Sequence, residues 1–408
     1  MTTTINNEHK KLNVPNLRFP EFQGEWEKHE LGGICEIITD FVAAGSFASL
    51  RENVKYYQED NYAQLVRTVD LKKDFTNNDF VYVDEFAYDF LWRVQLKEPN
   101  IVLPNIGANI GEKYYVSPKD LPKEKNVLGP NAILLRSKCN DTHFVFFRLS
   151  TSSYDNEMKK LVGTSGQPKF NKTDLKKVRL FIPSLKEQKK ISYFLGLLEE
   201  RIATQNKIID KLQSLIKGIV DCTILRKGKN AIVGDVCSIS EQIRAEANID
   251  DIITVRLHGN GVCKSSAENL QLGATQYYRR RAGQLIYGKQ NFHNGAIGIV
   301  PISLDNGITS KDIPSFDIDE MKCNSVYLLA QLQSPQYYKP AEALTTGTGS
   351  KRLKEETFLK MPIVLPNKRE QDNIAVLIHR ASMNLDHAKR LLELLSIQKQ
   401  FLLRQMFI

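Results

Sequence analysis

The sequence repeats itself, and this repeat constrains the fold more than any other feature. The segment Gly166-Gln-Pro-Lys-Phe170 aligns without a gap on Gly349-Ser-Lys-Arg-Leu353, 183 residues further on. The same offset carries Glu187-Gln188 onto Glu370-Gln371. Self-similarity at a fixed offset predicts two copies of one structural plan. A length of 408 residues leaves room for two such domains.

A shorter match, displaced by 202 residues, completes the repeat. It joins Leu31-Gly-Gly-Ile-Cys-Glu-Ile37 to Val233-Gly-Asp-Val-Cys-Ser-Ile239. Each copy is therefore interpreted as a variable globular segment followed by a more uniform tail. We expect four parts in chain order: an N-terminal segment with the first globular domain (1–183), a long helix (184–230), the second globular domain (231–365) and a second long helix (366–408).

The two tails carry apolar residues at alternating steps of four and three, the spacing of a coiled-coil seam. Gln205 is the polar exception in the first tail, and Lys399 is the exception in the second. The Lys399 side chain could either reach the edge of the seam or pair with an acid. The predicted seam consists of Ile191, Leu195, Leu198, Ile202, Ile209, Leu212, Ile216 and Ile219, then Ile374, Ile378, Ala381, Leu385, Ala388, Leu392, Leu395 and Leu402.

Such a seam more often means dimerisation of two chains, but two matched helices in one chain favour pairing with each other. An antiparallel pair would hold the two globular segments at opposite ends, related by a pseudo-two-fold axis. Short strands and helices alternate within the globular segments, so the expected class is α+β. The predicted strands are 63–69, 100–104, 132–136 and 284–288, and the predicted helices are 142–149 and 325–332.

Catalytic motifs are missing from the sequence. There is no Pro-Pro dipeptide of an amino-methyltransferase, no GxxxxGK[ST], no HExxH and no GxSxG. The six cysteines never come within four residues of one another, which excludes the usual CxxC zinc spacings. We therefore predict no catalytic, cofactor-binding or metal-binding residue. No apolar run approaches a membrane span, and the expected location is the cytoplasm.

The net charge of +9 suggests a polyanionic partner, although the excess lies mainly in the helical tails. DNA binding by the globular segments would thus depend on local patches of cations, amides and aromatic rings. The second copy contains three consecutive arginines, Arg279, Arg280 and Arg281, of which a strand could present at most two on one face. The candidate DNA-binding residues are Arg51, Lys55, Tyr57, Arg67, Lys72, Lys73, Asn105, Asn109, Ser165, Gln167 and Lys169 in the first copy, and Arg279, Arg280, Arg281, Lys289, Gln290, Asn291, His293, Asn294, Ser350, Lys351 and Arg352 in the second.

Together these features resemble a known family. The opening Val14-Pro-Asn-Leu-Arg-Phe-Pro-Glu-Phe-Gln-Gly-Glu-Trp26, the two strand-Pro-x-x-x-Glu-Gln-x-x-Ile elements and the order of variable segments and helices resemble specificity subunits of type I restriction-modification enzymes. The resemblance implies two target-recognition domains that read the halves of a bipartite double-stranded DNA site. It implies that the paired helices set the spacing and receive two modification (methyltransferase) subunits.

The same resemblance implies that restriction (translocase-nuclease) subunits complete the complex and that no membrane is involved. S-adenosylmethionine, ATP and Mg would belong to those partners, in agreement with the missing motifs. Two other functions stay open from the residues alone. One is a catalytic DNA methyltransferase or nuclease with degenerate motifs, and the other is a coiled-coil scaffold that does not bind DNA.

Overall fold

The computed structural model describes residues 12–107, 110–161, 169–221, 229–265, 275–347 and 351–408. The chain divides into two compact units. The first comprises Met1–Ala203 and Glu393–Ile408, and the second comprises Thr204–Leu392. Each unit therefore contains part of both long helices, and each is described by itself below.

In the part of the chain that the structure describes, the first unit combines nine strands with seven short helices and one end of each long helix. Its strands are β1 (Glu27–Glu30), β2 (Ile37–Asp40), β3 (Ala63–Val66), β4 (Tyr82–Val83), β5 (Asn100–Pro104), β6 (Tyr114–Val116), β7 (Asn126–Leu128), β8 (Ala132–Arg136) and β9 (Arg179–Ile182). Its helices are α1 (Leu31–Ile34), α2 (Phe47–Asn53), α3 (Thr68–Lys72), α4 (Glu85–Phe90), α5 (Thr142–Leu149), α6 (Ser152–Leu161), α7 (Lys172–Lys176) and the start of α8 (Leu185–Ile219).

The second unit contains eleven strands within its described residues. They are β10 (Lys229–Ile232), β11 (Cys237–Ile239), β12 (Arg244–Ala245), β13 (Ile253–Val255), β14 (Val262–Lys264), β15 (Tyr277–Arg279), β16 (Leu285–Tyr287), β17 (Ile297–Ile299), β18 (Ile308–Ser310), β19 (Ser315–Ile318) and β20 (Pro362–Leu365). Its helices are the end of α8, α9 (Ser325–Leu332), α10 (Pro335–Tyr338), α11 (Glu355–Leu359) and most of α12 (Lys368–Gln405).

The same four-stranded sheet forms in both units. Its strand order is β2-β8-β5-β6 in the first and β11-β19-β16-β17 in the second, and all neighbours are antiparallel. A two-stranded antiparallel pair accompanies each sheet, β1 with β9 and β10 with β20. The predicted α+β class and the internal repeat are confirmed at the level of topology.

The units differ in their second, smaller sheet. In the first unit β3 pairs parallel with β7, whereas β15 pairs antiparallel with β18 in the second unit. The second unit also has an additional hairpin of β13 and β14. A parallel pair requires a crossover, while an antiparallel pair can be joined locally, so the chain between these strands follows different routes in the two copies.

The repeated Glu-Gln element ties each long helix to its sheet and to a short helix. The Gln188 amide donates to the Pro183 carbonyl at 2.9 Å, and its oxygen accepts from the backbone NH of Asp141, the N-cap of α5, at 3.0 Å. The second unit repeats these bonds with the counterparts Gln371, Pro366 and Asn324. Both glutamines are buried. The recurrence explains why the Pro-x-x-x-Glu-Gln spacing is the same in both copies.

All side chains predicted for the seam of the long helices are buried or half-buried, as such a seam requires. The predicted segments 184–230 and 366–408 contain α8 and α12, and β10 begins at residue 229 inside the first segment. Lys399 pairs with Glu199 at 2.6 Å in the first unit, and Gln205 donates to the Ala388 carbonyl at 3.0 Å in the second. Within each unit the two helices run antiparallel, and Lys399 pairs with an acid.

The Glu199 carboxylate makes the stability of the first unit dependent on pH. Burial opposes its ionisation, but His143 at 3.5 Å and Lys399 outweigh that effect, so the pKa of Glu199 lies below its usual 4.5. A lowered carboxyl pKa in the folded state stabilises the fold above the unfolded value, and this stabilisation is lost as pH falls through the folded value.

We expect Glu199→Gln to lower the unfolding free energy by about 1 kcal/mol at neutral pH and by progressively less below pH about 4.5. Urea unfolding across this range measures the difference, followed by tryptophan fluorescence because both tryptophans, Trp26 and Trp92, belong to the first unit. Lys399→Met should remove part of the same pH-dependent stabilisation, because Lys399 is one of the two groups that lower the pKa of Glu199. Parallel curves for wild type and Glu199→Gln down to pH about 3 would contradict this account.

Candidate nucleic-acid interface

In each unit two loops meet. In the first unit they are the loop after β5 and the loop before α7, and in the second unit they are the loop after β16 and the loop before α11. The Phe170 NH donates to the Asn105 carbonyl at 3.3 Å in the first unit. In the second unit the Leu353 NH donates to the Lys289 carbonyl at 2.9 Å. We call residues 105–107 with 169–170 the first joined loops, and residues 289–294 with 351–353 the second joined loops. The structure thus brings together candidates that lie more than 60 residues apart in sequence.

The first joined loops carry one exposed cation and one buried amide. Lys169 is exposed, and its backbone bridges to Ile106. The side-chain oxygen of Asn105 is buried and has no hydrogen-bond partner in the described part of the chain. Lys72 of α3 forms an ion pair at 2.6 Å with Glu112, five residues after Gly107. Lys73 follows α3 and is exposed.

The second joined loops are held by acidic residues that pair with their cations. Asp312 forms an ion pair with Arg352 at 3.2 Å, and its carbonyl accepts from the Lys289 NH at 2.9 Å. The Lys289 ammonium pairs with Glu355 at 2.7 Å. Lys351 is exposed, with its nearest carboxylate, on Glu342, 3.9 Å away. Lys289 and Arg352 therefore hold the loops together, and of the two only Arg352 is exposed.

Amide and imidazole groups continue the second joined loops. Gln290 and Asn291 are exposed, and Asn294 donates to the Asn291 side chain at 3.2 Å. Asn294 also lies 3.2 Å from the Nε2 atom of His293, whose Nδ1 atom is buried with no partner among the described residues. Such groups can donate to and accept from base edges, which is the chemistry of sequence readout.

The arginine triplet does not act as one cluster. Arg280 is 0% exposed, and its guanidinium donates to the Thr309 and Ser315 hydroxyls at 2.7 and 2.9 Å. Burial lowers the pKa of Arg280 to about 10. Arg279 and Arg281 are exposed. The prediction that Arg280 contributes to a DNA-binding surface is wrong, because alternation along the extended backbone turns its side chain into the core.

Arg279 borders a polar cavity of about 620 Å³ in the second unit. Arg244 and Lys264 line the same cavity, together with the carboxylates of Asp250 and Asp305. Sequence reasoning missed Arg244 and Lys264, because only the pairing of β12 with β15 brings Arg244 beside Tyr278. The cavity therefore has charges of both signs, and Arg279 alone does not make it cationic.

The remaining candidates of the first copy fall into two groups. Arg51 and Lys55 are exposed on and after α2. Arg67 instead forms two hydrogen bonds, at 3.0 and 2.7 Å, with the buried carboxylate of Asp70 at the start of α3. Tyr57 donates from its hydroxyl to Asp84 at 3.1 Å, which raises the pKa of Tyr57. Arg67 and Tyr57 thus have structural partners that the sequence did not reveal.

Four candidates lie outside the described residues: Asn109, Ser165, Gln167 and Ser350. Within the described ranges, no group of three or more His, Cys, Asp or Glu residues is placed to hold a metal ion. No helix in those ranges is long and apolar enough to cross a membrane.

Residues 23–214 match the family described as "Type I restriction modification DNA specificity domain". Residues 23–214 of this chain belong to this specificity-domain family. The resemblance read from the sequence is thereby confirmed. The match covers most of the first unit and extends along α8, and it includes Glu187-Gln188 and the first joined loops.

Two relatives of this chain come from Methanocaldococcus jannaschii. The putative type I restriction enzyme MjaX specificity subunit is 25% identical over 217 residues, which cover 52% of this chain and 48% of the relative. The alignment thus spans about half of that relative's length. The type I restriction enzyme MjaVIII specificity subunit is 21% identical over 313 residues, which cover 69% of this chain and 71% of the relative.

A solved structure shares the fold of this chain. The crystal structure of the type I restriction-modification system S subunit from M. genitalium superposes with a TM-score of 0.63. The superposition covers 97% of this chain and 99% of the other, at 11% sequence identity. At this identity the likeness concerns the fold, whose strands and helices the two chains share despite nearly unrelated side chains.

Proposed function

We propose that this chain reads DNA sequence for a type I restriction-modification complex through its two sets of joined loops. The observation that carries the proposal is the recurrence of the loop-to-loop backbone bond in a chain whose family is defined by DNA specificity. Membership of that family makes this the non-catalytic specificity subunit.

The side chains around the joined loops suit the two tasks of such an interface. Exposed cations such as Lys73, Lys169 and Lys351 can neutralise phosphates, which supplies affinity without sequence information. The exposed amides of Gln290 and Asn291 can form paired hydrogen bonds with an adenine edge. Ion pairs with Asp312 and Glu355 hold the backbone in place, so less ordering is needed on binding.

Partner subunits would supply the catalytic groups. In this proposal two modification subunits carry S-adenosylmethionine, and restriction subunits carry ATP and Mg. The long helices offer them apolar surface away from the seam. Large side chains exposed there in the first unit include Tyr193, Leu197, Leu394, Ile397 and Phe401, and Leu215, Val376, Leu377 and Met383 are exposed in the second. Contiguous exposed apolar surface is typical of protein interaction sites.

A segment exchange tests this function directly. Residues 26–183 are replaced by the matching segment of a relative, and methylated positions are mapped in a host genome that expresses the complete system. We expect one half of the recognised sequence to change and the other half to stay the same. The reciprocal exchange of residues 231–365 should alter only the other half. A methylated sequence that changes in both halves, or in neither, would contradict independent readout by the two copies.

A further inference from the structure

A cavity of about 560 Å³ lies in the first unit, away from the joined loops described above. Strands β1 and β9 form one side of it, helices α5, α6 and α7 with the two residues after α7 form most of the rest, and Ile408 also lines it. Its lining includes Lys28, Arg148, Ser153, Tyr154, Lys177 and Phe181. The whole lining has five basic side chains, Lys160 and Arg179 in addition to the three just named. It has only two carboxylates, those of Glu157 and Asp174, so the excess of positive charge suits an anion.

Arg148 is the unusual member of this lining. Only 4% of its surface is exposed, yet no carboxylate lies within 4 Å of its guanidinium in the described part of the chain. Its Nη1 atom donates to the hydroxyls of Thr151 and Ser153 at 2.8 and 2.9 Å, and its Nε atom has no partner among the described residues. Burial lowers the pKa of Arg148 to about 10. A buried cation without a counter-ion is costly, unless another negative group occupies the neighbouring space.

The other buried arginine shows what a purely structural guanidinium looks like in this protein. Arg280 is also buried without a carboxylate, but all three of its nitrogen atoms donate to neutral acceptors, among them Thr309, Ser315 and the Ile313 carbonyl. It therefore needs no further partner. Arg148 uses one nitrogen atom for hydroxyl acceptors and lies beside open space.

The second copy provides a matched comparison, because the repeat places Gln331 where the first copy has Arg148. The Gln331 amide, in the orientation that satisfies both of its ends, donates to the Val364 carbonyl at 3.1 Å and accepts from the Val364 NH at 2.8 Å. Arg148 makes no hydrogen bond to Phe181, the counterpart of Val364, within the described residues. In the second copy, therefore, a neutral amide bonds to the backbone of the neighbouring strand. At the equivalent position the first copy has a cation beside a cavity.

The other charged residues that line the cavity differ in whether they have acidic partners. Lys177 pairs with Asp174 at 3.5 Å, Lys160 with Glu157 at 2.6 Å, and Arg179 with Glu30 at 3.3 Å. Lys28 lies 5.4 Å from the centre of the Phe181 ring and has no carboxylate within 4 Å among the described residues. Lys28 and Arg148 therefore leave two positive charges at the cavity without acidic partners in that part of the chain.

We propose that this cavity binds a phosphoryl group, with Arg148 and Lys28 as its charged partners and the hydroxyls of Ser153 and Tyr154 as additional donors. Arginine suits this role because its planar fork matches the oxygen atoms of a phosphate. The group could belong to a free phosphate compound or to the backbone of DNA. The site goes beyond DNA reading by the joined loops and does not depend on it.

Titration calorimetry of the full chain with sodium phosphate, at constant ionic strength in chloride, tests the site. We expect saturable binding that Arg148→Gln, which copies the second unit, weakens about tenfold or more. Lys28→Ala should weaken it by a smaller factor, and this exposed position does not put folding at risk. Tyr154→Phe should weaken phosphate binding, whereas the matched variant Tyr337→Phe in the second copy should not.

A second titration identifies the source of the phosphoryl group. If duplex DNA displaces phosphate and Arg148→Gln lowers the salt slope of DNA binding by about one, the backbone of DNA fills the site. If duplex binding is the same in wild type and variant while phosphate still saturates the wild type, a free phosphate compound fills it. The proposal is overturned if the wild type shows no saturable phosphate binding, or if Arg148→Gln and Lys28→Ala both bind phosphate as the wild type does. Failure here would leave DNA reading by the joined loops untouched.

Discussion

Replacing Arg18 by alanine should destabilise the first unit by about 3–5 kcal/mol, because it leaves a buried carboxylate without its cation. Arg18 forms two hydrogen bonds of 2.8 Å with Glu187, whose side chain is 2% exposed. Among the described side chains, the remaining donor to this carboxylate is the Trp26 indole NH, 3.3 Å away. One neutral donor cannot replace a paired guanidinium, so most of the desolvation cost of the carboxylate would be uncompensated.

Urea unfolding followed by tryptophan fluorescence measures the loss in the unit that contains both tryptophans. The double variant Arg18→Ala with Glu187→Gln should recover part of the stability, since a neutral amide costs less to bury than an unpaired carboxylate. The repeat supplies the control: Glu370, the counterpart of Glu187, is exposed, and Glu370→Gln should change the stability by less than about 0.5 kcal/mol. Equal losses from Arg18→Ala in the wild type and in the Glu187→Gln background would contradict this explanation.

The contrast between Glu187 and Glu370 also shows where sequence reasoning stops. The offset of 183 residues places a Glu-Gln element in both copies, and Gln188 and Gln371 make the same hydrogen bonds in the structure. It does not predict which glutamate is buried, since that depends on the N-terminal segment that carries Arg18 and Trp26. That segment reaches α8 through contacts more than 160 residues apart in sequence, which no local pattern encodes.

Periodic elements are the most predictable part of the fold. The seams of α8 and α12 and the helices 142–149 and 325–332 follow from apolar spacing, because each apolar side chain must face the same neighbour turn after turn. The smaller sheets are not predictable: the parallel pairing of β3 with β7 and the antiparallel pairing of β15 with β18 depend on long-range contacts. The candidate sites are limited in the same way. Charged and amide side chains identify a loop as a candidate, but they do not reveal which distant loop it contacts in the fold.

The triplet Arg279-Arg280-Arg281 illustrates that limit. Substitution of Arg280 should lower the stability of the second unit, whereas substitution of Arg279 or Arg281 should leave the stability nearly unchanged. Arg280→Ala is expected to destabilise the second unit by about 3–5 kcal/mol, because it opens a cavity and removes the donor to the Thr309 and Ser315 hydroxyls. Arg279→Ala and Arg281→Ala should change stability by less than about 0.5 kcal/mol, since both side chains are exposed.

DNA binding should show the reverse pattern. An exposed arginine that contacts only phosphate should, when replaced by alanine, weaken binding to every sequence and lower the salt slope by about one. An arginine at a guanine edge should cost about 1–3 kcal/mol for the cognate site and relax the preference at one base pair. The single variants, assembled with the modification subunits and titrated against cognate and mismatched duplexes at two salt concentrations, distinguish these cases, and urea unfolding followed by circular dichroism reports stability. Because Arg280 has no exposed surface, a stable Arg280→Ala protein with altered base preference would contradict both its burial and its structural role.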